Sequence, residues 1–392
     1  LFYLVLTKKM SLFIEAEKKW KNFLSTKIKD YGALRNYDYG PTEINYVSRI
    51  SPFISHRVLF EYQIIKDIKL KFKGNQVNKF IEEVYWRIYW KGVLENKPCI
   101  WENFITKKVD NFDFNDYKMA VNGETNIPYF NSWVKELKTY NYLHNHTRMW
   151  FASTWIFVLG LPWELGARFF FKYLYDGDAA SNLLSWRWVG GLQTKGKRYL
   201  FSPQNLKKFS NGRFCANKIS NQDILLEDDF EVIISNEIYH SNMQKSSNNL
   251  IMFENDLHEN SLKKIISKYQ KVFLIELDKK HRRIEISDSV AKFKQNLRDE
   301  FLLKFSNIEM ISSLLLKDKL KGISSVDLIY PSIGDNYDFI KSLRENNKFI
   351  VKNLVRPEDL YAWKFAKRGF YKFKESIPAI NKFINEPNLI WK

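Results

Sequence analysis

Asn145, Arg148 and Met149 stand at i, i+3 and i+4, so a helix over this stretch turns an amide, a guanidinium and a thioether to one face. An amide offers donor and acceptor together, which lets it serve a ring in more than one redox state. A buried Arg148 needs a carboxylate. Asp176 of the Asp176-Gly177-Asp178 turn is the candidate, and Asp178 is then left to accept a hydrogen bond from a ligand. By itself an Asp-Gly-Asp turn is ordinarily a plain turn or part of a calcium loop, and the further Asp that an EF-hand requires is missing from its spacing. Glu83, Trp86 and Arg87 repeat the same arithmetic with a carboxylate, a flat ring and a guanidinium. Alone, such a stripe is more often a core-facing helix with a surface ion pair. Val47-Ser48-Arg49-Ile50-Ser51-Pro52 supplies hydroxyls, a cation and backbone amides ahead of an apolar helix. That set suits a phosphate or pyrophosphate, although an N-cap beside an arginine explains it equally well in isolation. Trp186 and Trp188 are ~200° apart on a helix. One ring can face an electron path, which Trp163 extends, while the other lines a cavity; standing alone, three of the 12 Trp would simply be core.

The elements that must position these residues fall into two patterns. From Ser11 to about Phe214, long helix-like apolar periodicities rich in aromatics alternate with short loops. After the polar stretch Ser241–Asn249, short apolar strands at Leu250–Phe253, Val272–Leu277, Val326–Tyr330 and Phe349–Val351 alternate with helices at Leu262–Tyr269, Val290–Leu303 and Tyr337–Asn346. Strands and helices alternating at this spacing imply a doubly wound parallel sheet. It has no Gly-x-Gly-x-x-Gly loop, so an ordinary dinucleotide site there is unsupported. Asp359–Ile384 reads as an amphipathic basic segment that packs back onto the helical half.

With 392 residues, 45% of them hydrophobic, the chain can bury a substantial core, and its length suggests two domains. A formal charge of +18 favours polyanionic partners such as nucleic acid. The Asn, Lys and Ile bias of AT-rich coding explains part of that excess. Two cysteines, Cys99 and Cys215, can build neither a disulfide framework nor an iron-sulfur site, and they fit a reducing cytoplasm. The apolar opening Leu1–Leu6 is too short to span a bilayer. No metal and no membrane are expected, and a monomer is.

In conjunction, and in this order and spacing, the segments between Tyr31 and Phe214 resemble the flavin domain of the photolyase/cryptochrome family. The resemblance implies a mainly α-helical FAD-binding domain at 10–215, a connecting segment at 216–249, a smaller α/β doubly wound domain at 250–356 and a C-terminal helical segment at 357–392. It places Tyr31, Ser48, Arg49, Ile50 and Ser51 near the phosphates of a bent FAD, and Phe80, Glu83, Arg87, Asn145, Arg148, Asp176, Asp178 and Asn182 in the rest of the cofactor pocket. It further implies that Glu83, Trp86, Asn145, Met149 and Trp188 border the cavity for a flipped-out pyrimidine dimer. Trp186 and Trp163 match the first two members of a tryptophan chain. Asn145 and Met149 match the branch that acts on cyclobutane dimers.

The departures from the pattern resemble a divergent bacterial branch. The usual Thr of the phosphate loop is Val47, the Trp opening the Glu83 helix is Phe80, and the position where the third chain Trp is expected falls near Asp110, so photoreduction is expected either to be slow or to be rerouted through Trp101, Phe112 or Tyr117. Leu183 and Arg187 are expected to alter the cavity rim. The α/β pattern follows the helical one instead of preceding it, and Phe253–Asn260 faintly resembles the start of the family's antenna domain, which implies a permuted order. The function implied is light-driven electron transfer from reduced FAD to a cyclobutane pyrimidine dimer in DNA, by a cytoplasmic lyase. A cryptochrome-like blue-light photoreceptor without repair activity is the alternative, and a FAD-bearing DNA-binding protein without photochemistry is a third.

Overall fold

Apolar and aromatic side chains dominate the first half, and they assemble as helices around one core. In the computed structural model, which describes residues 11–240, 245–345 and 350–385, the opening helix α1 (Leu12–Thr26) is capped by Ser11. The longest helix, α2 (Asn78–Asn96), buries Val84, Tyr85, Ile88 and Tyr89. Three later helices build the site with it: α3 (Asn145–Ser153), α4 (Trp163–Tyr173) and α5 (Ala179–Gly190). Helix α5 packs against α2, α3 and α4. Its end is set by Gly191, whose φ of 83° closes a left-handed cap.

The second half is a five-stranded parallel sheet, β1 (Asn249–Phe253), β2 (Lys271–Glu276), β3 (Ile308–Ser312), β4 (Ser325–Ile329) and β5 (Ile350–Leu354), in the order β3-β2-β1-β4-β5. Register is fixed by pairs such as Leu250 with Val272 and Leu328 with Asn353. Parallel strands need cover on both faces. One face packs on α6 (Asp288–Leu302) and on Leu12, Phe13 and Phe53 from the helical half, and the other on α7 (Asp335–Glu345). The sheet is therefore wedged against the first domain. Strand β3 has no counterpart among the expected strands, because Ile308-Glu-Met-Ile-Ser312 is an edge strand with Glu309 and Met310 exposed.

Two connecting regions are tied to the packed halves. Residues 216–236 form an irregular strap on the helical half, held by Gln222 N to Phe157 O at 2.6 Å and Ser235 N to Asn96 O at 2.8 Å. In the polar stretch at 241–249, Ser246 and Ser247 hydrogen-bond Asp327. The closing segment is three short helices, α8 (Pro357–Trp363), α9 (Phe370–Lys374) and α10 (Ile377–Ile384), interrupted at Gly369 and restarted at Pro378. Helices α8 and α9 pack on α2. Residues 1–10, 241–244 and 346–349, which carried parts of the expectations above, lie outside the described residues, as does the end of the C-terminal segment at 386–392.

Candidate functional site

Helices α2, α3 and α5 converge so that their polar and aromatic residues meet at one side of the helical half. Arg87 on α2 reaches Asp178 at 2.6 Å and the Ser181 hydroxyl at 3.2 Å. Arg148 on α3 lies 2.9 Å from Asp176 and also donates through Nε to Leu143 O. Burial opposes ionisation of Asp176, yet Arg148, aided by Ser51 and Arg87, outweighs it and holds the carboxyl below its usual range. Glu61 behind them is buried as well, but Lys91, Arg57 and Arg87 hold its carboxyl down to about 2. The pocket floor is thus a lattice of ionised pairs.

On the same helices Glu83, Trp86, Met149 and Trp188 are half-exposed and Asn145 is exposed. Glu83 is 3.0 Å from Lys79 and 3.6 Å from Arg35. Trp188 lies 5.6 Å from Tyr199, centroid to centroid. One face of Trp86 is covered by Phe370 from α9, stacked at 3.6 Å.

Several expected ligand-facing groups are committed to the protein instead. Both oxygens of Asp178 are engaged, one capping α5 through Ser181 N at 2.8 Å and the other on Arg87, because a helix N-terminus leaves orphan amides that a carboxylate satisfies. The buried Asn182 amide donates to Ala167 O at 3.0 Å, tying α5 to α4. Leu183 and Arg187 lie inside the protein and not on a rim, with Arg187 bidentate to Asp228 of the strap at 2.7 and 2.6 Å.

The phosphate-loop segment bends at Arg49, whose φ is 52°. Its guanidinium donates to Pro41 O and Gly40 O and lies over the Tyr142 ring. Ser48 and Ser51 are half-exposed, Ile50 is buried, and the helix that begins at Ser51 is only five residues long. Tyr31 and Phe80 meet edge-on at 5.0 Å. Burial, with Glu83 nearby, drives the Tyr31 phenol well above its ordinary value. A cavity of about 520 Å³ opens beside Arg49, Pro52 and Tyr142, and one of about 120 Å³ beside Asp176 and Asp178 reaches the loops that follow β1 and β4. Those loops brace the site: Asp256 pairs with Arg356 and Arg57, and Glu95 of α2 accepts from Tyr330 Oη at 2.7 Å and Ile333 N at 3.0 Å.

Residues 80–216 match the FAD binding domain of DNA photolyase. They form a photolyase-type FAD-binding domain. The deoxyribodipyrimidine photo-lyase of Buchnera aphidicola subsp. Baizongia pistaciae is 28% identical over 218 residues, covering 52% of this chain and 44% of that protein. The Salmonella typhimurium protein of the same name is 30% identical over 155 residues, covering 38% of this chain and 32% of its own. The chain thus spans less than half the length of these curated relatives. A bacterial class III photolyase from Agrobacterium tumefaciens superimposes with a TM-score of 0.44 at 24% identity, over 51% of this chain and 42% of that one.

The residues present in and beside the photolyase-type domain fit FAD. Arg49 Nε and His144 Nε2 are buried nitrogens without a hydrogen-bond partner among the described residues, and a ligand bearing phosphates and ring carbonyls offers acceptors. His144 Nδ1 accepts from His146 N at 3.2 Å, and burial lowers the ring's pKa to about 4, so its proton sits on Nε2. Among the described residues no group of His, Cys, Asp and Glu is arranged to hold a metal, and no helix is long and apolar enough to cross a membrane. His144, Lys91, Glu61 and Phe370 went unnoticed in the sequence. His144 had a local signal as the residue before the α3 face; the others are brought to the site only by packing.

Proposed function

We propose that this protein repairs cyclobutane pyrimidine dimers in DNA by light-driven electron transfer. The observation that carries the reading is that accessible Glu83, Trp86, Asn145, Met149 and Trp188 lie on the same three helices, α2, α3 and α5, that the Arg87–Asp178 and Arg148–Asp176 pairs tie together within the photolyase-type domain. Bound reduced FAD, excited by blue light, supplies the electron. Arg49, Ser51, Arg87 and Arg148 would hold the cofactor as hydrogen-bond donors to its oxygens, and the Asn145 amide would offer it either a donor or an acceptor. Glu83 accepts hydrogen bonds from the extruded bases, and the apolar surfaces of Trp86, Met149 and Trp188 receive their faces in place of lost stacking. The net charge of +18 draws the DNA backbone.

The test is to reduce the purified protein, add an oligonucleotide carrying one thymine dimer, illuminate with blue light and follow recovery of thymine absorbance. Light-dependent recovery is expected. No recovery with FAD bound and reduced would overturn repair in favour of the photoreceptor reading.

A further inference from the structure

Trp186 is buried in α5, and its ring meets Trp155 edge-on, centroids 6.3 Å apart and planes at 88°. Trp155 lies fully buried in a π-helical turn, Thr154–Val158, that continues α3. Such turns are uncommon and frequently mark functional positions. Gly166 makes the contact possible: a Cβ there would fall 2.3 Å from the Trp186 ring and 3.0 Å from Trp155 Nε1. On its other side Trp155 meets Tyr117 at 6.1 Å, and Tyr117 meets Phe112 at 5.5 Å, both half-exposed at the protein surface. Oxidisable rings therefore run in contact from the interior to solvent.

We propose that Trp155 and Tyr117 are the second and third members of an electron relay that starts at Trp186. This rests on the FAD reading above. The gradient has a physical basis: Trp155 Nε1 donates to Pro162 O at 2.9 Å, which stabilises the ring when it carries positive charge, whereas Trp186 Nε1 is buried with no acceptor among the described residues. An electron vacancy thus moves outward. The other branch is worse. Trp163 stacks on Phe104 at 5.7 Å, a ring that is hard to oxidise, and the Arg187 guanidinium lies 6.0 Å over it, disfavouring a cationic ring even though Asp228 tempers the charge.

The electrons balance. Trp186 gives one electron to photoexcited oxidised FAD, Trp155 refills Trp186, and Tyr117 refills Trp155. Tyr117 then releases its phenolic proton to water as the neutral tyrosyl radical. A hydrogen atom from an external thiol restores the phenol and leaves a thiyl radical.

The experiment is electron paramagnetic resonance of the FAD-loaded protein, frozen after a flash without thiol. A tyrosyl signal is expected in the native protein and in Trp163→Phe, and its loss in Tyr117→Phe and Trp155→Phe. Tyr117 is half-exposed, so its Phe variant keeps the fold even if the Trp155 variant does not. A signal undiminished in Tyr117→Phe, or one lost in Trp163→Phe alone, would overturn the relay. A yellow native protein without the signal overturns the relay alone; a colourless one that takes up no FAD overturns the cofactor reading with it.

Discussion

Trp86 and Phe370 stack with ring centroids 3.6 Å apart and 10° between planes, joining α2 to the C-terminal α9. Phe370 is buried and also touches Tyr89 and Phe373. It backs one face of Trp86 and fixes the orientation of the indole. Phe370→Ala is expected to destabilise the protein by about 3 kcal/mol, the usual scale for removing a buried ring. Denaturant unfolding monitored by tryptophan fluorescence checks this. Unchanged stability and emission would place Phe370 away from Trp86 in solution.

Arg148→Ala leaves Asp176 buried beside the pocket without its nearest cation. Breaking a buried pair costs about 3 to 5 kcal/mol, and because the Arg148 side chain is 22% exposed the lower end, about 3 kcal/mol, is expected. Arg148→Ala with Asp176→Asn should recover part of that loss, as measured in a double-mutant cycle.

Glu95 links the two halves, and its burial raises its carboxyl from 4.5 to about 7, with Tyr330 and Ile333 N opposing the shift. A folded value above the unfolded one means that its contribution is complete below about pH 4.5 and lost as pH rises through about 7, on the order of 3 kcal/mol. Glu95→Gln keeps an acceptor and cannot ionise. The native protein should therefore lose stability relative to this variant between about pH 5 and about pH 8, read from paired melting curves. Glu136, raised to about 7 by burial, titrates in both proteins and cancels. Parallel curves would contradict the assignment.

DNA affinity should fall steeply with salt. If about five phosphates are neutralised, a fourfold rise in salt weakens binding on the order of 10² to 10³-fold. A titration of duplex at several salt concentrations gives the slope, and a flat response would mean that the excess of lysine and arginine does not meet the backbone.

Much of this arrangement was legible in the sequence where periodicity and burial coincide. Helices α2, α3 and α5 carry apolar faces, and β1, β2 and β4 are runs of Val, Ile, Leu and Phe buried on both sides. Strand β3 escaped notice because Glu309 and Met310 are exposed at a sheet edge, which breaks the apolar run. The second commitment of Asp178, to the amide that caps α5, needed the helix start to be known to the residue. In the sequence Trp155 is one more aromatic between Trp150 and Phe157. Only tertiary packing across Gly166 sets it against Trp186.

The central claim is that the paired arginines of the photolyase-type domain hold FAD, and flavin content measures it most directly. Native protein should release one FAD per chain on denaturation, and Arg87→Ala with Arg148→Ala should lose most of it while keeping helical circular dichroism. A native protein that takes up no FAD when supplied with it, or a double variant that retains it as tightly as the native protein, would contradict the account.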